Sequence, residues 1–260
     1  YEGRQRLEHL GLAVPAELRR FETVINVPRM AVDEPERRMD VKWLSRPGEH
    51  TSDDAMREGW DANNLDSESP LLWKDTLIYG RGFTTVGTNE DDPEHPLVRI
   101  ESPRYMTCAI DTRLRRMDAA LRLYRNESRN EADATLYLPN ETIWLESQNY
   151  GAWKVIDRDK HELGRVPVIL HLNRRRANDW LGTSELVDVI GLTDNIARTL
   201  TNLQVALETH SVPSRWVAGA SKGDFVDKQG KPLPVWEAYF TALMANANKD
   251  VKFGQFEASD

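Results

Sequence analysis

The sequence predicts an α+β fold: N-terminal helices packed on an antiparallel β meander, then one long helix, then a small α/β region. Three observations lead there. Between Gly82 and Leu170 the apolar residues recur with period two, in short runs rich in β-branched and aromatic side chains. Before Gly82 and after Gly182 they recur at helical spacing instead. Turn-forming residues punctuate the period-two half at short intervals. A chain of 260 residues can bury a sizeable core, as one irregular domain or two to three small ones.

The first predicted helix opens at Pro15-Ala16-Glu17, with Pro in its first turn and an acid that favours the dipole. Leu18, Phe21, Val24 and Ile25 follow at helical spacing, and Pro28 is expected to interrupt or kink the helix. Val41–Leu44 is a strand candidate, and Arg46–Ser52, holding Pro47-Gly48, is a loop. Ala55–Asn63 and Ser69–Tyr79 read as helices, the second ended by Gly80.

Eight strands are predicted next: Phe83–Gly87, Leu97–Glu101, Tyr105–Ile110, Ala119–Tyr124, Thr135–Leu138, Thr142–Glu146, Trp153–Ile156 and Val166–Leu170. Asn89–Pro93, Ser102-Pro103, Asp111–Arg113, Pro139-Asn140 and Asn149–Gly151 supply the turns. The run from Leu136 to Leu145, with Pro139-Asn140 at its centre, is a hairpin. The expected arrangement is one antiparallel meander with the N-terminal helices over one face.

After Gly182, Thr183 or Ser184 is the expected helix cap, and Glu185 and Asp188 fall in the first turns, where acids suit the dipole. Leu186, Val189, Ile190, Thr193, Ile196, Ala197, Leu200, Leu203 and Leu207 make the apolar stripe. The helix runs to Thr209-His210, and Pro213 forbids its continuation. A strand (Arg215–Ala218), a turn beginning at Gly219, a polar loop (Asp227–Pro234), an amphipathic helix (Val235, Trp236, Tyr239, Phe240, Leu243, Met244) and a strand (Val251–Phe256) complete the chain.

Composition restricts function. A net charge of −8 disfavours capture of nucleic acid by phosphate neutralisation, while still allowing DNA to slide past. The single cysteine, Cys108, falls in a strand and reads as a buried thiol rather than a nucleophile. There is no run of eighteen apolar residues and no signal peptide at the start, so no membrane partner is expected and the protein reads as soluble and intracellular. A first residue Tyr1 in place of Met suggests that the natural chain is longer.

No motif spells out catalysis. Gly80-Arg81-Gly82 and Gly219–Gly223 lack the spacing of a phosphate loop. Gly182–Leu186 has Leu where a hydrolase elbow needs its second Gly, which leaves Ser184 as a capping residue. The six histidines form no metal-ligand pair, and the acids at Asp53-Asp54 and Glu90–Asp92 read as solvated turns. No catalytic, cofactor-binding or metal-binding residue is therefore assigned. Arg174, Arg175 and Arg176 are candidates for contact with phosphate or an acidic partner, and Arg113, Arg115 and Arg116 form a second basic spot. Neither spot has interleaved aromatics, as a single-strand stacking platform would need. The reading from another class is an intracellular hydrolase or transferase with a β-rich body, its catalytic residues scattered along the chain.

Several segments in fixed order do resemble a known family. They are Tyr1-Glu-Gly-Arg-Gln-Arg-Leu, Val27-Pro-Arg-Met-Ala-Val-Asp33, Leu77-Ile-Tyr-Gly-Arg-Gly-Phe83 and Glu101-Ser-Pro-Arg104, then Pro167–Leu172 with Gly182-Thr-Ser-Glu185. Ser211-Val-Pro-Ser-Arg-Trp and Gly219-Ala-Ser-Lys-Gly-Asp-Phe225 follow in the same order. Together they resemble the portal, or head–tail connector, proteins of tailed bacteriophages, especially the actinobacterial phage and prophage type.

The resemblance implies a non-enzymatic subunit of a ring, usually of twelve, through which double-stranded DNA enters and leaves the capsid without sequence specificity. It implies residues 1–181 as a mixed α/β wing, 182–210 as the first stem helix and 211–260 as the clip region, in a truncated portal fold whose second stem helix would come next. Implied partners are further copies of the chain, the terminase large subunit, the major capsid and scaffold proteins, and a head-completion or adaptor protein. The implied location is the capsid portal vertex of the virion, or the host cytoplasm during assembly and in a prophage. On the polar face of the long helix, Glu185, Asp188, Asp194, Asn195, Thr199 and Asn202 are expected to border the channel, where weak acidity keeps DNA from condensing.

Overall fold

Asn26 caps the first helix of the computed structural model, α1 (Val27–Glu36), by accepting from the Arg29 amide at 3.2 Å. The structure describes residues 1–3, 25–126, 131–148, 151–211, 215–219 and 252–255. Of the two expectations for Pro28, to interrupt or to kink a helix, the kink does not occur: it lies in the first turn of α1, where its missing N–H leaves no bond unmade. The helix predicted from Pro15 lies outside the described residues except for Ile25. Val32 is fully buried on α1, and the Tyr1 hydroxyl donates to Asp33 at 2.6 Å.

Val41–Leu44 is not a strand. Among the described residues no strand pairs with it, and the backbone bond that closes this loop goes from the Asp53 amide to the Leu44 carbonyl, 2.8 Å. Asp53 also caps α2 (Asp54–Ala62) by accepting from the Met56 amide. The next helix, α3 (Leu65–Tyr79), starts one turn earlier than its sequence suggested, after a left-handed Asn64, and ends at a left-handed Gly80. Pro70 obscures that start, because it reads as a first-turn residue.

The eight predicted strands all form, within a few residues of their expected bounds: β1 (Arg81–Gly87), β2 (Leu97–Glu101), β3 (Met106–Asp111), β4 (Arg116–Asn126), β5 (Glu131–Tyr137), β6 (Thr142–Gln148), β7 (Lys154–Asp159) and β8 (Val168–Leu172). They do not make one meander. Strands β3 to β7 form a five-stranded antiparallel sheet in sequence order, while β1, β2 and β8 form a separate three-stranded sheet in the order β2-β1-β8. In β1 the four residues Gly82–Thr85 are all buried, the mark of a central strand covered on both faces. Helix α3 packs on β1 and β2, so the helices cover the small sheet rather than the meander.

The two sheets meet at Phe83, Met106, Ala120, Val166 and Val168. Full burial of Phe83 contributes about 1.5–3 kcal/mol. Between the sheets Arg122 Nε lies 2.9 Å from Glu101 Oε1, an ion-pair contact not aligned for a hydrogen bond. Burial and the nearby Glu101 carboxylate push the Tyr137 phenol above its usual range. A second core cluster joins Val32 of α1, Leu77 of α3 and Leu186.

The chain divides into two units, Tyr1–Arg4 with Asn26–Thr193, and Gln5–Ile25 with Asp194–Asp260. Helix α4 (Val187–Ser211) has 25 residues, about 37 Å at 1.5 Å per residue, and the division falls within it. It begins later than the expected caps. Its burial follows the predicted stripe only in part: Thr193 and Ala197 of the stripe are buried, whereas Ile190, Ile196, Leu203 and Leu207 are exposed, and Thr201, outside the stripe, is buried as well. A buried threonine is tolerated because its hydroxyl can bond within the helix, as Thr193 Oγ1 does to the Val189 carbonyl at 2.8 Å.

In the second unit β9 (Arg215–Ala218) pairs antiparallel with β10 (Lys252–Gln255), bringing Trp216 opposite Gly254. A Cβ at Gly254 would stand 2.3 Å from the indole, so glycine is what lets the ring lie over the partner strand. The predicted Asp227–Pro234 loop and the helix holding Val235 to Met244 lie outside the described residues, as does the turn after Gly219.

Candidate functional site

The most constrained place in the first unit is the approach to α4, where three distant segments meet. Strand β8 ends at Leu172, and Asn173 then bonds in three directions. Its amide donates to the Gly80 carbonyl at 2.8 Å, and its own carbonyl accepts from the Thr183 amide at 3.0 Å. Its Nδ2 donates to the Thr183 carbonyl at 2.8 Å and to Glu185 Oε1 at 2.9 Å. The Glu185 amide donates to the Leu77 carbonyl at 2.9 Å. Ser184 Oγ donates to the Ile78 carbonyl at 2.5 Å and accepts from the Leu186 amide.

These bonds need two glycines. Gly80 and Gly182 both have positive φ, 82° and 69°, and a Cβ on Gly182 would fall 2.0 Å from the Gly80 carbonyl oxygen. The C-terminal end of α3 and the segment leading into α4 therefore touch backbone to backbone. Leu77–Phe83 and Gly182–Glu185, two segments that carry the family resemblance, are the parts in contact here.

The loop between Asn173 and Gly182 carries the basic triplet. Arg174, at φ 49°, reaches Glu185 Oε2 at 2.5 Å and Asp188 Oδ2 at 3.3 Å. The Arg175 guanidinium lies 4.7 Å from the centre of the Trp180 ring. Trp180 is thus the aromatic that the sequence reading did not connect with this basic spot; four residues separate it from Arg175, and only the folded loop joins them. Arg176 is exposed, and its carbonyl accepts from the Asp179 amide. Asp179 Oδ1 in turn accepts from the Leu181 and Gly182 amides at 2.9 and 3.3 Å, which shapes the return toward α4.

The six polar residues singled out on the long helix are not equivalent. Glu185 precedes α4 and is occupied by Asn173 and Arg174. Asp188, Asn195, Thr199 and Asn202 are all exposed and fall on one face of α4 by their helical spacing. Asp194 is half-buried and points away from that face. Asn173, Gly80 and Gly182, which organise the junction, escaped sequence reasoning. The glycines were visible as helix and turn punctuation, but nothing local showed that they touch.

For catalysis the described residues offer little. No group of three or more His, Cys, Asp or Glu among them could hold a metal ion. Burial pushes the Cys108 thiol up, which lowers its nucleophilicity at neutral pH. Thr84 Oγ1 and His171 Nε2 are 3.0 Å apart, but Thr84 is buried and no carboxylate orients the ring among the described residues. No described helix is long and apolar enough to cross a membrane.

A β-rich body whose last strand leads through a backbone joint into a long helix is compatible with a portal-type fold. The family model described as phage portal protein, SPP1 Gp6-like, matches residues 14–259, and the chain belongs to that family. Among individual relatives it is similar to the portal proteins of Mycobacterium phage D29 and Mycobacterium phage L5, each 32% identical over 269 residues. Those matches cover 100% of this chain and 55% of each relative, so the chain spans about half the length of the curated relatives it matches.

Proposed function

We propose that this chain is the wing, the first stem helix and the clip region of a phage portal subunit. Residues 1–181 form the wing, 182–210 carry the stem helix and 211–260 belong to the clip. The complete protein assembles into a ring, usually of twelve, at one capsid vertex. Double-stranded DNA passes through the ring during packaging and ejection. The terminase large subunit docks on it during filling, head-completion or adaptor proteins follow, and the capsid and scaffold proteins surround it. The protein then resides in the virion, and in the host cytoplasm before assembly.

The observation that carries this reading is the family match over residues 14–259. The joint at Gly80 and Gly182 supports it, since it seats the segment that enters the stem helix on the wing. The exposed face with Asp188, Asn195, Thr199 and Asn202 suits a channel wall, because these four offer the DNA backbone no cation and Arg198 is the one Lys or Arg of α4. The test is the mass and negative-stain image of the full-length protein: a ring with a central hole is expected, and a compact monomer at every concentration would overturn the reading.

A further inference from the structure

A groove of about 350 Å³ opens on the first unit between α2, Leu44 and the segment Glu94–Val98. Its walls are largely apolar, with Met56, Trp60, Leu65 and Val98 among them. Gly59 belongs to the α2 wall, and nothing lies within 4 Å of where its Cβ would stand. The rim is acidic. His95, on the rim, meets Asp92 at 2.8 Å, and Glu58 and Glu94 act on the same imidazole. Three further acids of this region are already paired, Asp53 with Arg46, and Asp61 and Asp66 with Arg57. An apolar cleft edged by these carboxylates suits an apolar side chain flanked by cations.

Such a segment exists in this chain. The turn between β3 and β4 carries Arg113, Leu114 and Arg115, and β4 opens on Arg116. Asp111 Oδ1 accepts from the Arg113 and Leu114 amides at 2.8 and 2.9 Å, and Arg115 has φ 53°, so the tip is held in one shape. Leu114 is 55% exposed. Arg116 has Asp118 at 3.7 Å, while Arg113 and Arg115 have no ion pair among the described residues. The other basic run is a poorer match, because Arg174 is held by Glu185 and Asp188 and Arg175 by Trp180.

We propose that the Arg113–Arg116 tip of one copy docks in the acid-rimmed groove of a second copy, with Leu114 among the apolar walls and the arginines against Glu58, Asp92 and Glu94. The inference rests on the ring reading above. The two surfaces are different, so the contact is head-to-tail, the kind that generates rings when its rotation closes. The anchor supplies apolar burial and the charges set register and encounter rate.

The test uses the full-length protein, with ring formation followed by mass photometry against concentration. Gly59→Leu fills the groove while replacing glycine by a better helix former, so its thermal stability is expected to hold or rise. Arg113→Glu with Arg115→Glu reverses the tip. Each is expected to raise the concentration needed for rings about tenfold or more. Adding Glu58→Arg and Glu94→Arg to the reversed tip should restore assembly. If both G59L and the reversed tip form rings as wild type does, the contact is wrong and the ring reading stands. A wild-type protein that never forms rings overturns both. Assembly lost in G59L but untouched by tip reversal means the groove has another occupant, and this too overturns the pairing, as does failure of the charge swap to rescue.

Discussion

Replacing Gly182 by alanine tests the joint at its tightest point. The new Cβ would stand 2.0 Å from the Gly80 carbonyl oxygen, a backbone atom that cannot swing aside, at a residue with φ 69°. The left-handed conformation alone costs about 1–2 kcal/mol for a residue with a side chain. Relief of the overlap requires the two segments to part by roughly an ångström, and the bonds from the Asn173 amide to Gly80 and from the Thr183 amide to Asn173 then weaken or break. At about 1 kcal/mol each, they bring the expected loss to about 3–4 kcal/mol, a large part of a typical domain stability of about 5–15 kcal/mol. Gly164→Ala is the internal control. Its φ is 67°, but nothing lies within 4 Å of its Cβ position, so only the conformational cost of about 1–2 kcal/mol applies. Urea denaturation followed by tryptophan fluorescence gives both values. Equal destabilisation by the two substitutions would refute the close approach as the reason for Gly182.

At the same joint, Asn173→Ala should cost about 1–3 kcal/mol, because it leaves the half-buried Thr183 carbonyl and Glu185 carboxylate without their amide donor. Arg174→Ala should cost less, about 0–1 kcal/mol, since that side chain is half exposed and its pairs are screened; urea melts showing the reverse order would contradict this ranking. Burial holds the His171 imidazole below its ordinary value of 6.5, so the unfolded chain binds the proton more readily than the native one. Its contribution therefore falls as pH drops below about 6.5, and His171→Gln should flatten that part of a stability profile measured from pH 7.5 to 5. Asn195→Lys with Asn202→Lys, both exposed, should put cations on the proposed channel face and slow DNA movement in a packaging assay with the full-length protein; unchanged packaging rates would remove this face from the channel.

The strands were legible because alternation reports a local property, one wet face and one dry face. Their partners were not, because β1 pairs with β8 some eighty residues later and no local pattern carries that distance. Val41–Leu44 has the composition of a strand, but β-propensity needs a neighbour to become structure. On α4 the sequence showed which residues are apolar, whereas burial depends on what packs there: Thr201 is inside and Leu203 and Leu207 are outside. The polar face was found in outline, but Glu185 and Asp194 could be separated from it only once Asn173, Arg174 and the start of α4 had positions. The Gly80–Gly182 contact joins residues about a hundred positions apart, and each glycine alone signals no more than a turn.

The joint also sets how the molecule responds to ionic strength. Its contacts run mostly between neutral amides, carbonyls and one hydroxyl, which mobile ions do not screen. The Arg174 bridges beside it are exposed charge pairs and weaken as the Debye length shrinks from about 10 Å at 0.1 M to about 3 Å at 1 M salt. A concentrated electrolyte would therefore strip away the ionic clasp and leave the segment that enters α4 seated on its peptide bonds, a joint whose stiffness does not follow the salt around it.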